Sequence, residues 1–407
     1  MKIYKSINKC RISKKKDLIN IAKFPDMGLT GTFPNNFNKK IIITPFNIVF
    51  SKSSKLLQLR HNYKSGILYG SNYGYRSGLN PVMVSHLKEK YIKLHKILKF
   101  KSNQNILDIG SNDGTFLNFF LKNLNKYAID PTINKFKKYY EKKTYKISST
   151  FFKALKKIEK KKFSLITAIA MFYDLEDPIE NLKKIKKLLT DDGIFHMEVA
   201  YLPKILSKFS YDTFCQEHYE YYSLLSLNYM VEKLNMEIST FGFNDINGGS
   251  IWLNIKKKSK KNNINKKLKI FLKKEIKQNI HKVSTYKNYF RKVFKHANDL
   301  NKLIVKYVKN KKIIFGYGAS TKGNVLLQLS NLNYKHIKNI VDINPYKFGR
   351  FTPVSKIKII KQENLKNKKI DYILLLIWHL KDHSIKQIKK LNKKVKIILP
   401  FPKIKVI

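Results

Sequence analysis

The sequence predicts an α/β chain: a doubly wound central unit, a small loop-rich unit before it, and a second, smaller α/β unit after it. Three observations carry that prediction. Between about residues 80 and 255 strand-sized apolar runs alternate with helical patterns. Residues 1–75 lack long periodic helices and are punctuated by Pro25, Gly28, Gly31, Pro34 and Pro45. The last third repeats the order strand, glycine turn, helix, strand ending in Asp, with Ile313–Phe315 leading into GYGASTKGN and Asn339–Val341 ending at Asp342. The expected boundaries are 1–75, 76–255 and 256–407.

At 407 residues the chain is long enough for three such units with cores of their own. Its 83 Lys and Arg against 27 Asp and Glu give a formal charge of +56, a field that attracts polyanions. The lysines are spread between all the motifs alongside Asn and Ile, which fits an AT-rich coding sequence and argues against a nucleic-acid partner, whose footprint is usually one clustered face. Cys10 and Cys215 are the only cysteines, so no disulfide framework is expected and a reducing compartment is. The basic N-terminus has no apolar stretch of the secretory kind. Runs such as Tyr372–Trp378 fall well short of the ~18 apolar residues that span a bilayer. A soluble, cytoplasmic protein without a membrane partner is expected; the sequence leaves its oligomeric state open.

Within the central unit, Ile106–Ile109 reads as a buried strand, Gly110–Gly114 as a tight turn, and Thr115–Leu124 as a helix from the spacing of Phe116, Phe119, Phe120 and Leu124. Tyr127–Ile129 is the next strand and Asp130 stands at its carboxyl end, where a carboxylate can accept hydrogen bonds from ribose hydroxyls. The glycine spacing is not the G-x-G-x-x-G of nicotinamide enzymes. Asp108-x-Gly110-x-x-x-Gly114 instead resembles the loop of class I methyltransferases that passes beneath S-adenosylmethionine (SAM), with Asn112 and Asp113 inside it. Further strands are expected at Leu165–Ala170, Gly193–Val199, Glu237–Phe243 and Ser250–Ile255. Met171 to Asp174 follow a central strand, at the sheet edge where open α/β folds bind ligands.

Four other segments carry candidate chemistry. In YGYRSG, Tyr73 and Tyr75 share a side if the chain is extended, with Ser77 two residues on. Paired phenols suit a sugar or base, and equally suit linker packing. In CQEHYEYY, Glu217-His218 is the reactive pair, since imidazole is the side chain whose ordinary pKa suits proton abstraction near neutrality. Tyr222 closes that segment. Asn247-Gly248-Gly249-Ser250 presents backbone closely, as an ordinary hairpin also does. In the C-terminal unit Gly318 permits close approach and Lys322 stands where it could meet a diphosphate; a full dinucleotide fingerprint is absent. Between these units, Val283, Tyr286, Phe290, Val293, Ala297, Leu300, Ile304 and Tyr307 form one apolar helical stripe, expected to pack on a neighbour.

Taken in order, LTGTFP (29–34), YGSNYGYRSGLN (69–80), LDIGSNDGTFL (107–117), AMFYDLEDP (170–178), SYDTFCQEHYEYYS (210–223), NDINGGS (244–250), GYGASTKGN (316–324) and VDINPYKFG (341–349) resemble the SAM-dependent sugar C-methyltransferase family nearly end to end. The resemblance implies a zinc-binding N-terminal domain, a class I methyltransferase Rossmann-like domain and a C-terminal Rossmann-like domain. It implies a nucleotide-diphosphate 4-keto sugar as substrate, with SAM bound by Asp108, Gly110, Asn112, Asp113, Gly114, Asp130 and Met171. By the same resemblance His218 is the general base and Glu217 a substrate-binding partner beside it, while Tyr73, Tyr75, Ser77, Asp174, Tyr222, Gly249, Gly318 and Lys322 line the substrate site. Gln216 stands where the family often has a second His, and an amide takes no proton. The positions matching the family's four zinc cysteines are Cys10, Ser13, Ser51 and Ser54, and serine hydroxyls are poor zinc ligands, so no metal is expected. Methylation of nitrogen or oxygen on another small molecule, and nucleic-acid binding on a relic methyltransferase fold, are the alternatives.

Overall fold

The computed structural model describes residues 3–64, 68, 75–259, 265–366 and 368–407. Its central sheet has seven strands: β1 Asn105–Ile109, β2 Asn125–Ile129, β3 Tyr145–Ile147, β4 Phe163–Ile169, β5 Leu189–Ala200, β6 Met236–Asn244 and β7 Ser250–Lys257. Their spatial order is 3-2-1-4-5-7-6. Strands β1 to β5 are parallel, and β7 enters antiparallel between β5 and β6. Leu107, Ile109, Ile166, Ala168, Phe195 and Met197 are buried, the near-continuous apolar reading of parallel strands covered on both faces. The strand order reverses between β1 and β4, so the turns after those two parallel strands, at Gly110 and Ala170-Met171, open the ligand crevice.

A helix Pro81–Leu98 covers one face. Asn80 caps it by accepting from the Val82 and Met83 amides at 3.0 and 3.4 Å, and Pro81 fits the first turn where no amide is needed. Its buried Lys90 meets Glu198 at 2.7 Å, and Glu198 also takes His86 Nε2 at 2.8 Å. Thr115–Leu124, expected as a helix, forms only a 3₁₀ turn at Leu117–Phe119. Side chains anchor the segment: Asp113 accepts from the Thr115 amide at 3.2 Å, and Asn118 ties it to a neighbouring loop, donating to Tyr139 O at 2.8 Å and accepting from the Glu141 amide at 3.3 Å. Phe116, Leu117, Phe120 and Leu124 are nonetheless buried, so the spacing reported the core face and not the helix.

In the N-terminal unit, Leu18–Lys23, Asn47–Ser51 and Leu57–Leu59 form an antiparallel sheet that Glu220–Tyr221 completes as a fourth strand. The 210–223 segment is thereby stitched into the N-terminal sheet. The long helix Val283–Lys309 lays its stripe on the same sheet, with Phe50 against Tyr286 (5.0 Å between ring centroids) and Phe24 against Phe290 (5.5 Å). The C-terminal unit is a six-stranded sheet in the order Ile359–Lys361, Asn339–Asp342, Ile314–Tyr317, Tyr372–Leu375, Lys396–Leu399, Lys405–Val406, parallel except for the last. Its own reversal of strand order lies between Ile314–Tyr317 and Tyr372–Leu375, and the turns there, at Gly318 and Ile377-Trp378, face the central unit. Among the described residues no helix is long and apolar enough to cross a membrane.

Candidate active site

The turn after β1 is built around two glycines with φ of +77° and +78°, Gly110 and Gly114. A side chain at Gly110 would strike Met171, and one at Gly114 would strike the Tyr140 ring, with separations of 2.6 and 2.5 Å from the added carbon. Asp130 Oδ2 accepts from the Asn112 amide at 3.0 Å, while Oδ1 accepts from the Thr132 amide and hydroxyl, both at 2.6 Å. A carboxylate has about four acceptor sites, so one remains for a ligand hydroxyl. Asp108, one turn below, is pushed up to about 7 by burial, which its hydrogen bond from Thr167 Oγ1 at 2.6 Å opposes. Asp113 is fully engaged: Oδ2 accepts from Arg76 Nε and the Gly78 amide, both at 3.0 Å, and Oδ1 from Thr115 Oγ1 at 2.6 Å.

Asn112 accepts from the Ser77 amide at 2.9 Å and donates to Tyr75 O at 3.2 Å. Tyr75 and Ser77, named from sequence as substrate residues, therefore strap the glycine turn through their backbones, and Tyr73 lies outside the described residues. The turn, a carboxylate at the end of β2 and Met171 across the crevice make a cradle that fits SAM.

The 210–223 segment crosses the carboxyl ends of the central strands. His218 Nδ1 lies 2.9 Å from Thr213 O, and since a carbonyl only accepts, Nδ1 carries the proton and Nε2 the lone pair. The ring stands edge-on to Tyr173 at 4.4 Å between centroids, and Tyr173 O accepts the Tyr219 amide at 2.8 Å, which fixes the segment to the turn after β4. Burial lowers His218 to about 4; the Thr213 bond opposes this and the charge of Lys322 adds to it. Glu217 turns the other way: Oε2 accepts from Thr30 Oγ1 at 3.0 Å and Oε1 from the Gly31 amide at 2.8 Å, and burial raises its pKa. Thr30 O in turn accepts from Asn324 Nδ2 at 2.7 Å, so the three units meet at this point. Gln216 donates to Met27 O at 3.1 Å and holds the same loop. Tyr222 is fully buried beside Phe172 in the central core, and Asp174 sits partly buried in the turn after β4.

The C-terminal unit closes the far wall. Lys322 donates to Asn247 O, and both its Nζ and the Trp378 ring lie 3.7 Å from where a side chain on Gly248 would begin. Gly248 thus faces this wall, whereas Gly249, the glycine named from sequence, turns toward Lys204. Trp378 Nε1 donates to Asp212 Oδ2 at 2.7 Å. Asp212 is 1% exposed, its Oδ1 has no hydrogen-bond partner among the described residues, and burial raises its pKa. Gly318 (φ +87°) packs on Ile377. Sequence reasoning missed Tyr173, Asp212 and Trp378. Asp212 lay inside the quoted SYDTFCQEHYEYYS, and Trp378, one of two tryptophans, ends a strand at a carboxyl edge; these were the available signals.

The four positions matched to zinc cysteines do converge. Cys10 Sγ is 3.1 Å from Ser54 Oγ and accepts from the Ser13 amide at 3.4 Å, and Ser51 Oγ accepts from the Ser54 amide at 3.4 Å. Ser51 donates to Asp17 at 2.9 Å, so hydrogen bonds join the two loops. No cluster of three or more His, Cys, Asp or Glu placed to hold a metal is found among the described residues.

This fold and crevice define a methyltransferase of class I. Residues 83–240 match the methyltransferase domain family, and residues 245–402 match the C-methyltransferase C-terminal domain family. The two matches follow one another along the chain in the order of the domains its motifs resemble. It is 25% identical, over 412 aligned residues covering 100% of this chain and 98% of the relative, to the C-methyltransferase NovU of Streptomyces niveus. Among solved structures, the plantazolicin methyltransferase BpumL in complex with SAH aligns with 44% of this chain and 85% of its own at 17% identity and a TM-score of 0.36. A SAM-dependent methyltransferase from Clostridium acetobutylicum aligns with 43% and 92% at 14% identity and a TM-score of 0.34.

Proposed function

We propose that this enzyme methylates a carbon next to the keto group of a nucleotide-diphosphate sugar, with His218 as the base. The observation that carries the reading is the His218 tautomer: Thr213 O holds Nδ1–H, which leaves a half-buried, neutral imidazole with its lone pair on Nε2 at the carboxyl edge of the sheet. A C–H beside a ketone is acidic enough for an imidazole to remove once the resulting enolate is stabilised. Burial disfavours the imidazolium in the free protein, and the negative enolate forming beside it favours that same charge. SAM, when bound, supplies an electrophilic methyl group to the enolate carbon. Gly110, Gly114, Asp130 and Met171 would hold it, with Asp108, Asn112 and Asp113 shaping the turn. Glu217 keeps the Thr30-Gly31 loop against the site, and Gly318 and Lys322 line the wall that the nucleotide sugar meets. No metal is needed for these steps. NovU, a C-methyltransferase, supports the carbon acceptor.

The test is His218→Ala. SAM affinity should be kept, while methyl transfer and exchange of the sugar's α-proton into deuterated water should both fall by about 10²–10⁴, the usual contribution of a positioned base. Undiminished exchange would move the base elsewhere, and Asp174→Asn would then be measured in the same pair of assays; Tyr222, expected at the substrate site, lies in the core out of a substrate's reach.

A further inference from the structure

Lys322 was the sequence's candidate for a diphosphate, and its surroundings suit a different task. Its ammonium has three donors, of which one goes to Asn247 O. It sits beside the Trp378 ring, which is tied to Asp212, and the next residue of that same turn, Thr213, supplies the carbonyl that holds His218. Trp378, the neighbour of the ammonium, and the base are therefore both anchored to one short turn, Tyr211–Thr213. Asp212 is a buried acid whose Oδ1 lacks a hydrogen-bond partner among the described residues. Asp212 and Lys322 stand close enough that each favours the other's charged form, so the ammonium already has one counter-charge when substrate arrives. A diphosphate would add its full charge to that pair on binding, whereas a ketone arrives neutral and adds only the single charge that develops on its oxygen.

We infer that Lys322 meets the keto oxygen of the sugar and stabilises the enolate formed when His218 takes the α-proton. The inference rests on the reading of His218 as base. In the step, the C–H bond breaks and its proton goes to His218 Nε2. The electron pair forms a carbon–carbon double bond, and the carbonyl π pair moves onto the oxygen facing the ammonium. Lys322 keeps its proton throughout. Fixed charges aimed at developing charge act strongly where water is excluded, and removing one such donor typically costs about 10²–10³ in rate. In support, burial lowers His218 and His379, and the nearby Lys322 charge adds to the lowering of both.

The experiment uses the full chain, dTDP-4-keto-6-deoxyglucose and its GDP counterpart as probes, and S-adenosylhomocysteine to occupy the cofactor cradle during exchange. Lys322→Gln should lose about 10²–10³ in α-proton exchange and in methyl transfer together. Its affinity for bare dTDP or GDP should change by less than about threefold, well under the roughly 1.4 kcal/mol of a tenfold change. Retained exchange with a tenfold or greater loss of nucleoside-diphosphate affinity would put Lys322 on the diphosphate and overturn the inference. Exchange lost in His218→Ala and kept in Lys322→Gln overturns Lys322 alone, whereas no exchange by the wild type with either probe overturns the His218 reading as well. Should Lys322→Gln not fold, Lys322→Arg keeps the charge and should retain exchange within about tenfold; a loss in Lys322→Arg as large as that in His218→Ala contradicts the assignment.

Discussion

Glu217→Ala isolates the contact that joins the N-terminal loop to the active-site segment. Glu217 accepts from Thr30 Oγ1 at 3.0 Å and from the Gly31 amide at 2.8 Å, and it is 5% exposed. Truncation leaves two buried donors unsatisfied at about 1–3 kcal/mol each, so a loss of about 2–6 kcal/mol is expected. Glu217→Gln separates acceptor geometry from charge. Its carbonyl can serve the Gly31 amide, and its amide can donate to Thr30, whose hydroxyl rotates to accept. That variant should lose no more than about 1 kcal/mol. The assay is urea unfolding followed by fluorescence, with thermolysin cleavage between residues 28 and 46 reporting release of the loop. A Glu217→Ala midpoint and cleavage rate equal to wild type, or equal losses in the two variants, would refute the reasoning.

Asp130→Ala should weaken SAM binding about tenfold by calorimetry, since it removes a ribose acceptor and also frees the Asn112 amide that shapes the turn; equal affinity would remove Asp130 from the cofactor site. The purified protein should hold no stoichiometric zinc by elemental analysis, whereas Ser13→Cys, Ser51→Cys and Ser54→Cys combined should bind one zinc per chain, because the four positions already meet. One tightly held zinc in the wild type would contradict the first half. His218 falls from 6.5 to about 4 on folding, so the unfolded chain takes up its proton first as pH drops and the folded state loses up to about 3 kcal/mol between pH 6.5 and 4. The melting temperature of His218→Asn should therefore gain on wild type across that window and not above pH 7; a constant difference would show His218 to be unperturbed.

Much of this architecture was legible in the chain. The strand with its glycine turn, the acid closing the next strand and the apolar stripe of Val283–Lys309 each follow from a short-range pattern, and short-range patterns survive without knowledge of the fold. Two kinds of feature did not. Thr115–Leu124 has the spacing of a helix, yet it coils only at Leu117–Phe119 and its Asn118 side chain ties it to Tyr139 and Glu141, a contact that periodicity does not register. The partners of Glu217 lie at Thr30 and Gly31, and Trp378 donates to Asp212, each more than 160 residues away in the chain. Such pairs come from the docking of units, which leaves no periodic trace. The tautomer of His218 is set locally, by the Thr213 carbonyl within its own segment, but a backbone carbonyl that any residue could have supplied leaves no mark on the sequence.

The most direct measurement of the central claim is incubation of the protein with methyl-labelled SAM and the dTDP- and GDP-linked 4-keto-6-deoxy sugars, with the product located by mass spectrometry and carbon-13 NMR. The account predicts one labelled methyl on a ring carbon next to the keto group, bonded to carbon. Label on a nitrogen or oxygen, or on nucleic acid with none on any sugar, would contradict it.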